Sequence, residues 1–577
     1  MRILFSMRHL GSLRMYDSVI RRLAAVGHDI QILSNRRDSI GSGIDPETLL
    51  SDVPEIRWTW EEERPNAWSE LVAVVRIWLD YLRFFEPTYT YAPRLRMRVG
   101  ERVPPILRRV TDWPLLRTTR WRRALVSCLR TVERALPLRP EIEAVMHKYE
   151  PELVIVTPML DLGSRQIDVL RSARAFGART VLSIGSWDHL SSKGRISTLP
   201  ERVLVWNETQ AGEAVELHDV PRDRVVVVGA QCYDQWFNRA PIRTREQFCE
   251  KLKLPVDRPF LLYACSALYP QTPTEAQFVR RWIEEVRASQ DPLLGSAAIL
   301  VRPHPTRLEE WNEVDLSDLP NVTLYGSLPV DDRSKEDYFE SLYYSAAMVG
   351  LNTSAFIEAA IVGRPVHTIV VPEFSERQEG TLHFHYLARV GGGVLRLARS
   401  FNEHRTQLAT SLREPVSTSL NSQFVTAFVR PFGLRRASTD AFVAAVDDLG
   451  RVAAPEPLRE SPWASALRLM LRPAAVATRF VVAHMSDPKD RTVFELQRAR
   501  RRDTYRHERE EERAAEVRRA ETARQEAQRA RRERIEALER EKHFLSATKA
   551  RNKVRRQRGK RRAAVMRKIK RRLGLGL

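Results

Sequence analysis

Apolar runs of strand length recur from Met1 to Val371, most of them followed by a polar turn and an amphipathic stretch of helix length. Ile3 to Ser6 opens the pattern, a turn containing Gly11 follows, an amphipathic stretch from Tyr16 to Val26 ends at Gly27, and a second apolar run spans Asp29 to Leu33. Parallel strands joined by helical crossovers are the arrangement this rhythm allows. It breaks between 56 and 136, then resumes at Leu153 to Thr157, Thr180 to Ile184, Arg202 to Trp206 and Val225 to Val228. A second cycle begins at Pro259 to Ser266 and runs through Ala297 to Arg302, Val322 to Tyr325, Ala346 to Leu351 and Val366 to Val371.

The expected fold class is therefore α/β, with two tandem Rossmann-like domains and a cleft between them. The first covers 1–237, the second 238–450, and the polar stretch 238–258 reads as the hinge. Within the first, about 56–136 reads as a helical insertion: Trp58, Trp60, Trp68, Trp78, Trp113 and Trp121 are interleaved with arginines, and Leu71, Val74, Val75, Trp78, Leu79 and Leu82 recur at helical spacing. Such helices either pack on the sheet with their arginines snorkelling, or lie on a membrane surface or grip an anionic acceptor. Ser438 to Leu449 reads as the helix that closes the second domain. Residues 451–490 form a linker marked by Pro455, Pro457 and Pro462, with a basic, apolar-faced helix from Ala464 to Met485 interrupted at Pro473.

Residues 491–577 hold 31 Lys+Arg against 13 Asp+Glu, whereas the first 490 hold 63 against 60. The excess charge thus belongs to the end of the chain. Ala, Glu, Arg and Gln dominate to about Lys542, the composition of a long charged helix. Val517, Ile535 and Leu538 stand nearly alone there, few for a coiled-coil seam, so self-association through 491–550 and a single solvated helix both stay open. From Arg551 onward no acid remains, and 551–577 suits an anionic membrane or polyanion partner as well as a solubilising tail. Cys128, Cys232, Cys249 and Cys265 are widely spaced, which argues against a zinc site or a disulfide framework. No long uncharged apolar run occurs, so the expected location is cytoplasmic, or peripheral at the inner face of the membrane.

Candidate site residues fall in loops after strands, where ligands collect in such sheets. After the Ala346 to Leu351 run, Asn352, Thr353 and Ser354 are helix-capping types, and Glu358 lies one turn on, suited to accept hydrogen bonds from a ribose diol. Arg302-Pro303-His304-Pro305 is a turn stiffened by two prolines, offering Arg302 and His304 to a diphosphate. In the first domain, Ser186 to Gly194 places Asp188 or His189 as a base toward an acceptor hydroxyl, and His9 sits in the first βα loop. Thr381, His383 and His385 belong to the last polar cluster. Two histidines at i and i+2 are a weak ligand set and neither domain contains Asp-x-Asp, so no metal is expected.

The tandem layout, Arg302 to Pro305 and Asn352 to Glu358 together resemble GT-B glycosyltransferases, and more narrowly the CDP-glycerol glycerophosphotransferase and capsule-polymer transferase branch. The resemblance implies that His304, Ser354 and Glu358, with Arg302 and Thr353, bind the phosphates and ribose of a nucleotide-activated donor in the second domain. Ser186 to Gly194 is similar to a Ser-Trp-Asp-Asn-Leu-Thr-Ser-Lys-Gly segment of GT-B-like proteins, with His189 in place of Asn. The implied function is transfer of a glycosyl group to a polysaccharide, lipid-linked or other cell-envelope acceptor. The donor is a substrate, and no cofactor is implied. Polyol-phosphate transfer from a CDP-alcohol, sugar-nucleotide 2-epimerisation and a non-catalytic scaffold are the competing readings.

Overall fold

The computed structural model describes residues 1–35, 53, 55–62, 66–267, 273–326, 329, 332–413, 419–484 and 546–572. It divides into a body, 1–496, and a C-terminal unit, 497–577.

The body contains two parallel sheets. The first has strands β1 (Arg2–Met7), β2 (Asp29–Ser34), β3 (Ile56–Trp60), β4 (Leu153–Thr157), β5 (Arg179–Ser183), β6 (Arg202–Val205) and β7 (Val225–Val227), in the order β3-β2-β1-β4-β5-β6-β7. The second has β8 (Phe260–Ala264), β9 (Ala298–Arg302), β10 (Val322–Leu324), β11 (Ala347–Val349), β12 (Val366–Ile369) and β13 (Leu395–Ala398), in the order β10-β9-β8-β11-β12-β13. Every pairing is parallel, with Ile3 opposite Leu153 in one sheet and Met348 opposite Val366 in the other. Strands β4, β5, β8 and β9 are buried along their whole length because helices cover both faces, hence the apolar runs of β4, β8 and β9; β5 buries Arg179, Thr180 and Ser183 as well. Strand order reverses between β1 and β4 and between β8 and β11, and each reversal opens a crevice at the carboxyl ends.

Four expectations need correction. Residues 56–60 do not belong to the insertion but form β3, an edge strand whose Ile56 pairs with Ile30. The stretch 238–258 is no bare hinge: the helix Arg245–Leu252 starts with a reciprocal Thr244–Gln247 cap and buries Phe248 in the second domain's core. The helix Ser438–Arg451 does not close the second domain but packs on the first, where Phe442 and Val446 join Tyr16, Val19 and Ile20 of the helix Leu13–Ala25. The helix Pro462–His484 runs through Pro473 without interruption. A proline there removes one backbone donor to the carbonyl of Leu469, an exposed position where water can take its place.

The chain crosses between the sheets twice, and the crossings are tied together. Ala230 N–H donates to the Val429 carbonyl (2.8 Å), and the Asp234 carboxylate accepts from Arg430 (2.7 Å) and from the backbone N–H groups of Ser438 (3.1 Å) and Thr439 (2.7 Å).

The insertion is helical from Ser69 to Ala135 in four segments, Ser69–Arg83, Pro93–Gly100, Pro105–Thr111 and Thr119–Ala135. Arg76, buried, joins Glu133 (3.0 Å) to Asp168 (2.5 Å) and so ties the insertion to the first domain. In the C-terminal unit, 546–572 is one exposed helix. The expected charged helix lies outside the described residues up to 545.

Candidate functional site

Loops from the carboxyl ends of both sheets face one cleft of about 1670 Å³ within the body. It is lined by His9 after β1, Asp188 and His189 after β5, Arg302 and His304 at the end of β9, Asn352, Thr353, Ser354 and Glu358 after β11, and Thr381 and His383 after β12. The structure thus brings together the candidate residues of both domains. His385 stands apart, with Nε2 at 2.7 Å from the Glu379 carbonyl and its ring against Tyr91.

On the second-domain wall, the His304 ring accepts the Thr306 backbone N–H at Nδ1 (3.3 Å), which makes Nε2 the protonated nitrogen of the neutral ring. Burial, aided by Arg307, lowers its pKa to about 4, so at neutral pH it is an uncharged donor. The Arg302 guanidinium is buried, donates to Ser341 Oγ (3.1 Å) and lies 5.0 Å from the centre of the Tyr338 ring. Burial raises the Glu358 carboxyl to about 7, against the opposing effects of the Tyr338 hydroxyl, which donates to it, and of Arg14 and Arg302. Ser354 occupies the N-cap of the helix Ala355–Ile361, but its side chain makes no cap hydrogen bond and is exposed.

Asn352 and His383 join the two walls. The Asn352 amide donates to the Arg377 carbonyl (2.7 Å), a group that only accepts, so its nitrogen must face that way. The same nitrogen reaches His383 Nε2 (3.5 Å), while His383 Nδ1 meets Ser191 Oγ (3.4 Å), which donates to the Asp188 carbonyl (3.1 Å). His383 also stands edge-on to Trp187, at 4.8 Å between ring centres. With both amide hydrogens used, Asn352 Oδ1 is a buried acceptor without a hydrogen-bond partner among the described residues. Thr381 bonds inward instead, donating to the Gln378 carbonyl (2.9 Å).

On the first-domain wall, Asp188 accepts from Ser186 Oγ (2.7 Å) and Ser192 Oγ (2.9 Å). Burial pushes its pKa up, but Lys193, His189, His383 and Ser186 outweigh that and hold the carboxyl far below the usual range. So acidic a group is a weak proton acceptor at neutral pH. His189 is the better base: burial lowers its pKa despite Asp188, leaving the ring neutral, and its buried Nδ1 has no hydrogen-bond partner among the described residues. His9 lies at 3.5 Å from Ser12 Oγ.

Sequence reasoning missed the side chains that hold this wall. Asp80 accepts the backbone N–H groups of Gly163 and Arg195 (2.7 Å each), and Arg83 donates to the carbonyls of Leu190, Lys193 (2.7 Å) and Gly194 (3.0 Å) and to the Tyr89 hydroxyl. Both come from the insertion helix Ser69–Arg83, about a hundred residues upstream of the loop they secure. No local signal marks them, because a capping box or turn motif needs its partners nearby in sequence. Gly194 is required by close approach, since a Cβ there would stand 3.0 Å from the Asp80 carboxylate and from the Leu160 carbonyl. Lys193 and Arg14 also line the cleft, and Lys193 lay within the segment read as functional. No group of three or more potential metal ligands occurs among the described residues.

No protein-family model matches the chain, and no curated protein matches it. Among solved structures, it is similar to a glycosyltransferase from Rickettsia africae, at 11% identity over 78% of this chain and 99% of that one, with a TM-score of 0.44. It is similar to UDP-GlcNAc 2-epimerase from Neisseria meningitidis bound to UDP-GlcNAc, at 11% identity over 78% and 100%, with a TM-score of 0.46. The UDP-GlcNAc 2-epimerase of Methanocaldococcus jannaschii is 14% identical over 78% and 99%, with a TM-score of 0.44. Likeness at such identities and TM-scores says nothing of the reaction.

Proposed function

We propose that the protein is a GT-B-type transferase that moves a glycosyl group from a nucleotide-activated donor to a polysaccharide or lipid-linked acceptor of the cell envelope. The observation that carries this reading is the convergence of His189, His304, Asn352 and Glu358 from two domains on one cleft. In the reaction, an acceptor oxygen forms a bond to the anomeric carbon, the bond from that carbon to the diphosphate oxygen breaks with its electron pair, and the acceptor proton passes to His189. His304 Nε2–H, Ser354 and Thr353 face the diphosphate, with Arg302 and Lys193 lowering the potential around it, and the Glu358 carboxylate accepts from the ribose. Asn352 Oδ1 takes a donor hydrogen from the ligand. The donor is a substrate, and the reaction invokes no resident cofactor.

The narrower resemblance to CDP-glycerol-type transferases makes polyol-phosphate transfer the second chemistry in the same cleft, and the two leave different products. Incubation of the full chain with a panel of nucleoside-diphosphate sugars and CDP-glycerol tests the reading. Release of a nucleoside diphosphate, lost in Glu358→Ala, is the expected result. Release of CMP instead means polyol-phosphate transfer, epimerised nucleotide sugar means a 2-epimerase, and absence of both binding and turnover means a scaffold without catalysis.

A further inference from the structure

The insertion does more than secure the cleft. Four of its large apolar residues lie within sixteen positions of one another and remain open to solvent: Ile106 is 68% exposed, Trp113 63%, Leu115 56% and Trp121 52%. Ile106 belongs to the helix Pro105–Thr111, Trp113 immediately precedes the turn Pro114–Arg117 that holds Leu115, and Trp121 is in the first turn of the helix Thr119–Ala135; the turn touches both helices. The insertion nonetheless has a core of its own, in which Leu82, Phe84, Leu95, Val99 and Val103 are buried. The exposed set is therefore not the residue of an insertion that lacks a core. It sits in a strongly cationic setting, because 101–135 holds nine arginines against three acids, and one of those acids, Glu133, is buried with Arg76.

We propose that this face docks on an anionic lipid bilayer, with Trp113 and Trp121 at headgroup depth, Ile106 and Leu115 entering the acyl boundary, and the surrounding arginines meeting lipid phosphates. Charge decides among the occupants. A second copy of the chain on the same face would set arginines such as Arg109, Arg117 and Arg120 against their own copies, so self-association is opposed. A soluble polyanion would match the arginines but leave the two aliphatic side chains without a partner. An anionic membrane satisfies both. The docking does not depend on which reaction the cleft performs, and it does not draw on the basic helix 546–572, which holds fourteen Lys and Arg residues and no acid.

The test uses the full chain, the Trp113→Ala/Trp121→Ala double variant, and vesicles of phosphatidylglycerol with phosphatidylcholine or of phosphatidylcholine alone, the lipid chains brominated. Bromine quenches indole fluorescence only on insertion, so attachment through the basic helix alone leaves the signal unmoved. The expected result is quenching of the wild-type chain by the anionic vesicles, loss of most of it in the variant, and partition weaker by about tenfold, with thermal unfolding and nucleotide titration unchanged. Equal quenching of variant and wild type overturns the proposal. So does a variant that bromolipid quenches as before but that sediments at a different mass or loses retention on nucleic acid, which assigns the face to a second copy or to a polyanion.

Discussion

The two walls of the cleft are made in different ways. The second-domain wall is assembled from turns that directly follow its own strands: His304 comes two residues after β9, and Asn352 three after β11. The first-domain wall is a loop after β5 held from outside, by Asp80 and Arg83 of a helix that has no part in the sheet. One wall is local in sequence and inherits its shape from the sheet. The other is a bridge across a hundred residues and inherits its shape from packing. The first kind should fail by losing affinity when a side chain is removed, and the second by losing order.

The largest effect expected is on order. Arg83→Ala removes a buried cation and strips three carbonyls and a hydroxyl of their donor, at a cost of about 3–5 kcal/mol. Thermal unfolding should shift down accordingly, and transfer should fall further than donor binding. If donor affinity falls as far as transfer, the walls are not separable.

Next comes affinity. Glu358→Ala should weaken nucleotide binding by about 30- to 100-fold, or roughly 2–3 kcal/mol, with little change in the unfolding curve. A large fall in stability would place Glu358 in the structural role its Tyr338 contact allows, and not in the donor site. The same carboxyl gives a pH test. Because its pKa is raised to about 7, it is protonated below that value, and a donor held by the carboxylate should bind about tenfold more weakly for each pH unit below about 7, with a plateau above. Titration of nucleotide binding from acid to neutral pH reads this slope.

A smaller effect sharpens the comparison further. Gly194→Ala should cost about 1–2 kcal/mol, because the added carbon meets Asp80 and a backbone carbonyl, and it should move transfer without moving donor affinity. A pH-dependent effect concerns the contact between the domains at Tyr386, whose hydroxyl donates to Glu213 (2.9 Å). Burial raises the Glu213 carboxyl to about 8. Its contribution to stability is complete below the ordinary glutamate pKa and is lost as pH rises through about 8. Glu213→Gln, neutral throughout, should flatten that loss in urea unfolding measured across this range.

Most of the fold was legible because buried parallel strands read as unbroken apolar runs; Leu153 to Thr157 is recovered to the residue. The strands that escaped, β3 and β13, are edges, and their Ile-Arg-Trp-Thr-Trp and Leu-Arg-Leu-Ala sequences mix charge with apolar residues as a half-covered strand must. The candidate loops were legible because turns at strand ends draw on a short list of residue types: prolines around His304, caps around Ser354. Roles within a loop were not. Asp188 reads as a base from its residue type and its place after a strand, yet His189 and Lys193 of its own loop and His383 of the other domain lie close enough to remove its basicity. The helix Ser438–Arg451 reads as closing the second domain but packs on the first for a related reason, since an amphipathic pattern says that one face is buried and not against what.

That helix also sets an order of events during synthesis. Until residue 451 has left the ribosome, Tyr16, Val19 and Ile20 lack part of the layer that buries them, while every strand of the second sheet has already emerged by residue 398. The domain begun first is therefore finished last. A nascent chain stalled between these points should carry a completed second sheet beside a first domain with an open apolar flank, and should recruit chaperones there.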